Sequence, residues 1–171
     1  MTSMLSHTTD WWTAPQLVQK GKYLLDESGN VDAAERALAQ ACAMDPTSVP
    51  AHFTYARLVQ TKKPDEAERA CGLYERVLQL DSSHIGAMCN YALMLHTHPL
   101  ELWDDAEELY ERVLAVNPAH TTALANYGLL QEGRLDGKGS LDAAEFLFTE
   151  AVRGTGCGYD EHDVGISGIM R

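Results

Sequence analysis

No apolar run in this 171-residue chain approaches the roughly 20 residues that a membrane-spanning helix needs. Positive charge is scarce as well. Thirteen Lys and Arg stand against 25 Asp and Glu, a net charge of −12, which argues against nucleic acid and anionic membrane surfaces as partners, since both call for basic patches. The opening MTSMLSHTTDWW lacks a basic start followed by an apolar stretch and predicts no secretory leader. The four cysteines, Cys42, Cys71, Cys89 and Cys157, form no C-x-x-C pair. Reduced thiols in an intracellular, cytoplasmic setting are the expectation. No G-x-x-x-x-G-K, G-x-S-x-G or H-E-x-x-H occurs, so nothing in the chain predicts a phosphate cradle, an activated serine or a zinc protease. Neither a cofactor nor enzymatic activity is expected.

What the chain has is repetition. Ala34, Ala70 and Ala106 lie 36 residues apart, as do Leu38, Tyr74 and Tyr110, and Ala41, Val77 and Val113. Another set keeps the same step: Tyr55, Tyr91 and Tyr127, followed by Ala56, Ala92 and Gly128. A fixed period of this size marks a stacked-repeat architecture. Such stacks mostly present a concave surface to a partner rather than a catalytic pocket.

Each unit reads as two amphipathic helices joined by a short turn. In the second unit the pattern predicts helices over 49–59 and 64–80, with Pro64 in the first helical turn and Asp65 and Glu66 at the positive end of the helix dipole. In the third it predicts helices over 87–95 and 102–116. Asp45-Pro46, Asp81-Ser82 and Asn117-Pro118 mark the helix ends. Thr13 reads as an N-cap, with Pro15 entering the first helix. The small columns, Gly21, Ala56, Ala92 and Gly128 on first helices and Ala34, Ala70, Ala106 and Ala144 on second helices, allow close antiparallel approach. Tyr55, Tyr74, Tyr91, Tyr110 and Phe148 then fill the neighbouring holes.

The residues Asn90-Tyr91-Ala92-Leu93, Ala106, Tyr110, Val113 and Asn117-Pro118 resemble the tetratricopeptide repeat, as do Asn126-Tyr127-Gly128, Ala144, Phe148 and Ala151. The likeness covers about 15–153. It implies an all-α, right-handed α-solenoid of about four antiparallel helix pairs, over 14–48, 49–84, 85–120 and 121–153. An N-terminal segment (1–13) and a glycine-rich C-terminal tail (154–171) flank it. Leu-Tyr-Glu-Arg-Val-Leu at 73–78 and 109–114 also resembles the half-tetratricopeptide type of RNA-processing scaffolds, but the spaced Trp, Tyr and Glu of that type's first helix are missing.

The resemblance implies that first helices line the concave face. The groove residues would then be Phe53, Arg57 and Gln60 from the second unit, and Cys89, Asn90, Leu93 and His96 from the third. The fourth would give Ala125, Asn126, Leu129 and Glu132. Asn90 and Asn126 occupy equivalent places; their amides suit an extended peptide backbone or bonds within the groove itself. A carboxylate clamp for chaperone tails needs cations that are mostly absent here, since its places hold Phe53, Arg57, Asn90, Thr122 and Asn126, or Val18, Lys22, Thr54, Gly86 and Asn90. The function implied is a non-catalytic adaptor binding a peptide or helix of a partner protein. The alternative is an accessory or regulatory module of an enzyme.

The remaining chemistry-bearing residues are expected to be structural. His84 and His120 share a repeat column. His96 and His98 fall in a helix-to-helix turn. Cys157 and His162 in the tail match no ordinary zinc spacing. The carboxylates Asp104, Asp105, Glu107 and Glu108 are expected on a solvated helix face, and Trp11 and Trp12 at an exposed end. After Arg153 no clear amphipathic capping helix follows; the glycine-rich tail either folds back over the last repeat, stays disordered, or leaves an uncapped repeat end open to a second copy as a homodimer.

Overall fold

The structure, a computed structural model, describes residues 12–97, 102–134 and 138–154. Every regular element among them is a helix. They run α1 (Ala14–Asp26), α2 (Val31–Met44), α3 (Val49–Lys62), α4 (Ala67–Leu80), α5 (Ile85–Thr97), α6 (Trp103–Val116), α7 (Thr121–Gly133) and α8 (Leu141–Gly154). Among the described residues no helix is long and apolar enough to cross a membrane. Trp11, the His98-Pro99 turn and the tail bearing Cys157 and His162 lie outside the described residues.

Local sequence sets where each helix starts and stops. Thr13 and Gln16 begin α1, the Thr13 backbone N–H donating to Gln16 Oε1 at 2.8 Å. Asn30 caps α2 by accepting from the Ala33 N–H at 3.1 Å, after a turn in which Gly29 takes φ +61°, a conformation that costs glycine nothing. At the unit boundaries Asp45, Asp81 and Asn117 each accept from the N–H two residues on, at 3.0, 3.1 and 3.2 Å. These side-chain turns stop one helix just before the next is capped. The next caps are Ser48, whose Oγ accepts from Ala51 N–H, and then His84 and His120, whose Nδ1 atoms accept from Ala87 and Ala123 at 3.0 and 3.2 Å. The shared histidine column is therefore a capping column.

Three local expectations are corrected. The helices α3 and α5 reach Lys62 and Thr97, past the ends at 59 and 95, and in their last turns the Thr61 and Thr97 hydroxyls donate to the Arg57 and Leu93 carbonyls. His96 consequently lies within α5 rather than in a turn. Pro64 begins a 3-10 turn, Pro64–Glu66, that precedes α4. Asp104 and Glu107 do not face water alone: three apart on α6, they point at the following unit and bind Arg134.

The helices pack as pairs, α1 on α2, α3 on α4, α5 on α6 and α7 on α8, and each pair stacks on the next. Close approach within a pair depends on the small columns. A Cβ added to Gly21 would stand 2.7 Å from Leu38 Cγ, and one added to Gly128 would stand 2.7 Å from the Phe148 ring. Ala34, Ala56, Ala70, Ala92 and Ala106 have no exposed surface. Tyr74 and Tyr110 are fully buried and join neighbouring units, as when Tyr110 stacks on Tyr127 at 5.8 Å between ring centres. Each large apolar side chain so buried contributes about 1.5–3 kcal/mol.

Consecutive first helices (α1, α3, α5, α7) touch one another, whereas among the described residues no two second helices do. The stack is therefore tighter along the first-helix side, and that side is the inside of its curve.

Candidate functional site

The inner face is built from equivalent positions on α3, α5 and α7, and the eleven groove residues named above divide by depth. Arg57, Leu129 and Glu132 are exposed, Leu129 to 36%. Phe53, Gln60, Asn90, His96 and Ala125 are half-buried. Cys89, Leu93 and Asn126 are buried, Asn126 to 5% exposure. The floor of the groove is thus closed packing, and the accessible groups lie above it.

Phe53 is held rather than free. Its ring meets Tyr74 edge-on at 6.2 Å and His84 at 4.5 Å, and the Arg57 guanidinium lies 6.0 Å from its centre. Gly86 leaves room for it, since a Cβ there would come within 3.1 Å of the ring. A flat cation over an aromatic face is attracted by the ring quadrupole, which fixes where the Arg57 charge sits on the groove wall.

A polar row runs beneath the surface with the repeat period. The Tyr74 hydroxyl donates to Gln60 Oε1 at 2.5 Å, and the Asn90 amide stands close enough to the same phenol to pull its pKa down. One unit later the Tyr110 hydroxyl lies 3.4 Å from His96 Nδ1, with Asn126 as its second partner. Burial holds both phenols well above their ordinary pKa; Arg57 and then Asn90 oppose that at Tyr74, while Asn126 opposes it at Tyr110. They stay neutral donors. The asparagine column therefore reaches into the stack, where each amide stands beside a buried tyrosine hydroxyl. Gln60 and His96 are equivalent, so the repeated unit is a tyrosine hydroxyl held between two polar side chains. The spacing of 14 residues back and 16 forward from each tyrosine was the sequence signal for it.

His96 differs from Gln60 in one respect. Its Nδ1 also lies 3.0 Å from the Ala92 carbonyl, and its Nε2 is buried with no hydrogen-bond partner. Burial pushes its pKa down from the usual 6.5, so the ring is neutral in the folded protein.

Chemistry of other kinds finds little support here. Burial pushes the Cys42 thiol up to about 11 and raises that of Cys71, where Glu75 adds to the effect. Thiols so protonated are poor nucleophiles. Among the described residues no three His, Cys, Asp or Glu side chains converge as metal ligands would. Lys22, read from the sequence only as a place of the chaperone-tail clamp, is exposed on α1 at the position equivalent to Arg57. Together they make one end of the groove basic, while Leu129 and Glu132 make the other apolar and acidic.

No protein-family model matches the chain, and no curated protein does. Solved structures do. A crystal structure of MamA is 24% identical and superposes with a TM-score of 0.70 over 84% of this chain and 78% of that one. A tetratricopeptide repeat protein from Parabacteroides merdae is 19% identical, with a TM-score of 0.71 over 84% of this chain and 52% of that chain. The first TPR of Spaghetti (RPAP3), solved bound to the HSP90 peptide SRMEEVD, is 19% identical, with a TM-score of 0.63 over 70% of this chain and 91% of that one. At such identities the likeness is one of fold.

Proposed function

We propose that this chain, which has the fold of the tetratricopeptide-repeat solenoids, is a non-catalytic adaptor that receives a segment of a partner protein along its concave face. The observation carrying this reading is the polarity of that face, with exposed Lys22 and Arg57 on the first two units and exposed Leu129 and Glu132 on the last. A segment with acidic residues over α1 and α3 and an apolar residue over α7 complements it in charge and hydropathy. The Spaghetti (RPAP3) domain holds its HSP90 peptide on the same fold, which supports a peptide as the kind of ligand. Asn90 and Asn126 contribute by fixing the tyrosines that set the groove floor, and Leu93 by filling it.

Capture from a native lysate by wild type and by an Arg57→Glu, Leu129→Glu variant, with circular dichroism as the control for folding, tests this reading. A partner lost by the folded variant supports the groove as its site. Equal capture by both chains overturns it.

A further inference from the structure

The two ends of the stack are chemically unlike. At the α1 end, Gln16, Gln19 and Tyr23 are exposed, Tyr23 to 64%, and Lys20 is partly exposed with its ammonium 4.8 Å over the Trp12 ring. The equivalent positions on α3 are Ala51, Thr54, Leu58 and Tyr55, all buried against the preceding unit. The first helix has thus exchanged an apolar docking face for amides and a cation, as a terminal repeat facing water should.

The α8 end has made no such exchange. Leu141, Glu145, Phe148 and Val152 stand where α6 carries Trp103, Glu107, Tyr110 and Leu114 to receive the next unit. Leu141 and Val152 are each 72% exposed. With Phe148 they line a concavity of 520 Å³ to which Glu132, Glu145 and Arg153 bring the charged groups. Exposed contiguous apolar surface of this kind marks an interaction site.

We infer that α8 is a self-docking surface, on which a second copy of this chain packs its own α8 antiparallel, across a two-fold axis passing near Thr149. Two observations select this occupant. First, Glu145 and Arg153 lie eight residues apart, four on either side of Thr149. An antiparallel crossing centred there sets Glu145 of each copy against Arg153 of the other, so the charge pattern is self-complementary, as a two-fold interface requires. Second, the polar α1 end is a poor match. Gln16 and Gln19 pressed into the Leu141–Phe148–Val152 surface would lose water without gaining partners, which disfavours head-to-tail growth. The apolar end meets itself, and the assembly closes as a dimer.

The test is sedimentation velocity on the full chain over a concentration series. Wild type is expected to rise from its 18.8 kDa monomer toward twice that mass, and Val152→Glu to remain a monomer at every concentration. Glu145→Arg alone and Arg153→Glu alone each set like charges together twice and are expected to be monomeric. Mixed with each other, they restore two opposite-charge pairs and are expected to form a heterodimer. All three sites are exposed, so a matching thermal melt controls for folding. A wild type that stays monomeric throughout overturns the proposal, and residues 155–171 then become the candidate cover for this face. A dimer that survives Val152→Glu, or single charge variants that do not recover on mixing, overturns it equally.

Discussion

The first and third junctions between units each carry a carboxylate at the same place in the repeat, and the middle junction does not. Glu35 on α2 accepts from the Tyr55 hydroxyl at 3.2 Å and pairs with Lys63 at 2.6 Å and Arg69 at 2.7 Å. Glu107 on α6 accepts from the Tyr127 hydroxyl at 2.6 Å and from Gln131 at 2.8 Å, and pairs with Arg134 at 2.7 Å. Between them, α4 carries buried Cys71, and the Tyr91 hydroxyl reaches instead to Glu75, one turn further along. An interface between repeats can therefore be closed by an ion-paired clasp or by apolar contact with a tyrosine–carboxylate hydrogen bond beside it. The clasps also differ, since Arg134 has a side chain only 1% exposed while Lys63 and Arg69 are 25% and 42% exposed.

That difference in burial orders the expected effects of breaking the pattern. Glu107→Ala removes one of the two described carboxylates that bind the buried Arg134 guanidinium, and should cost about 3 kcal/mol, the lower end for a broken buried pair; chemical denaturation read by circular dichroism checks it. Cys71→Glu would impose the clasp on the junction that lacks it. With no described cation at the places equivalent to Lys63 or Arg69, and with Glu75 and Glu68 close enough to act on the Cys71 thiol, the new carboxylate is unpaired and costs about 2 kcal/mol. Stability equal to wild type in the same assay would show that the middle junction tolerates a lone buried charge. Glu35→Ala should cost about 1 kcal/mol, because its cations keep water when the partner is removed. Lys63 and Arg69 hold the Glu35 carboxyl below its ordinary 4.5, so that contribution is present above this value and lost as pH falls through the depressed folded pKa; Glu35→Gln should accordingly flatten the acid limb of the melting profile.

The smallest effect sharpens the comparison within the buried row. His96 is disfavoured as a cation by burial, so the folded protein binds its proton less readily than the unfolded chain does. Stability should start to fall as pH drops through 6.5 and level off below the depressed folded pKa. Replacing His96 by glutamine, as at position 60, keeps a partner for Tyr110 and should remove this part of the pH dependence while leaving neutral-pH stability within about 0.5 kcal/mol. A thermal melt series from pH 7.5 to about 5, compared with wild type, measures it.

Much of the fold was legible because burial repeats with the period. The columns Ala34–Ala70–Ala106, Leu38–Tyr74–Tyr110, Ala41–Val77–Val113 and Ala56–Ala92–Gly128 proved to be packing columns, whereas Met44–Leu80–Val116, which keeps the same step, has Met44 and Val116 exposed; the Asp45, Asp81 and Asn117 stops fell at helix ends. The polar partnerships were harder to read. Glu107 and Glu108 are adjacent and alike in sequence, yet one clasps the next unit and the other faces water, a distinction set by helix rotation against a neighbour some 27 residues away. Asn90 and Asn126 were recognised as equivalent, but their direction depends on the tyrosine hydroxyls beneath them. Groove depth was the least legible quantity. Cys89, Leu93 and Asn126 fit the helical spacing of a lining face, while their burial follows from how tightly α3, α5 and α7 meet.

That tight meeting has a mechanical side. Second helices do not touch one another among the described residues, yet each is bound to the next first helix, α2 to α3, α4 to α5 and α6 to α7, so the stack is closed along its inner edge and stitched across every junction. A change of arc has to part second helices from the units that follow them, and the Glu35 and Glu107 clasps oppose this at two of the three junctions. The Cys71 junction, which lacks such a clasp, is where the arc has least to hold it.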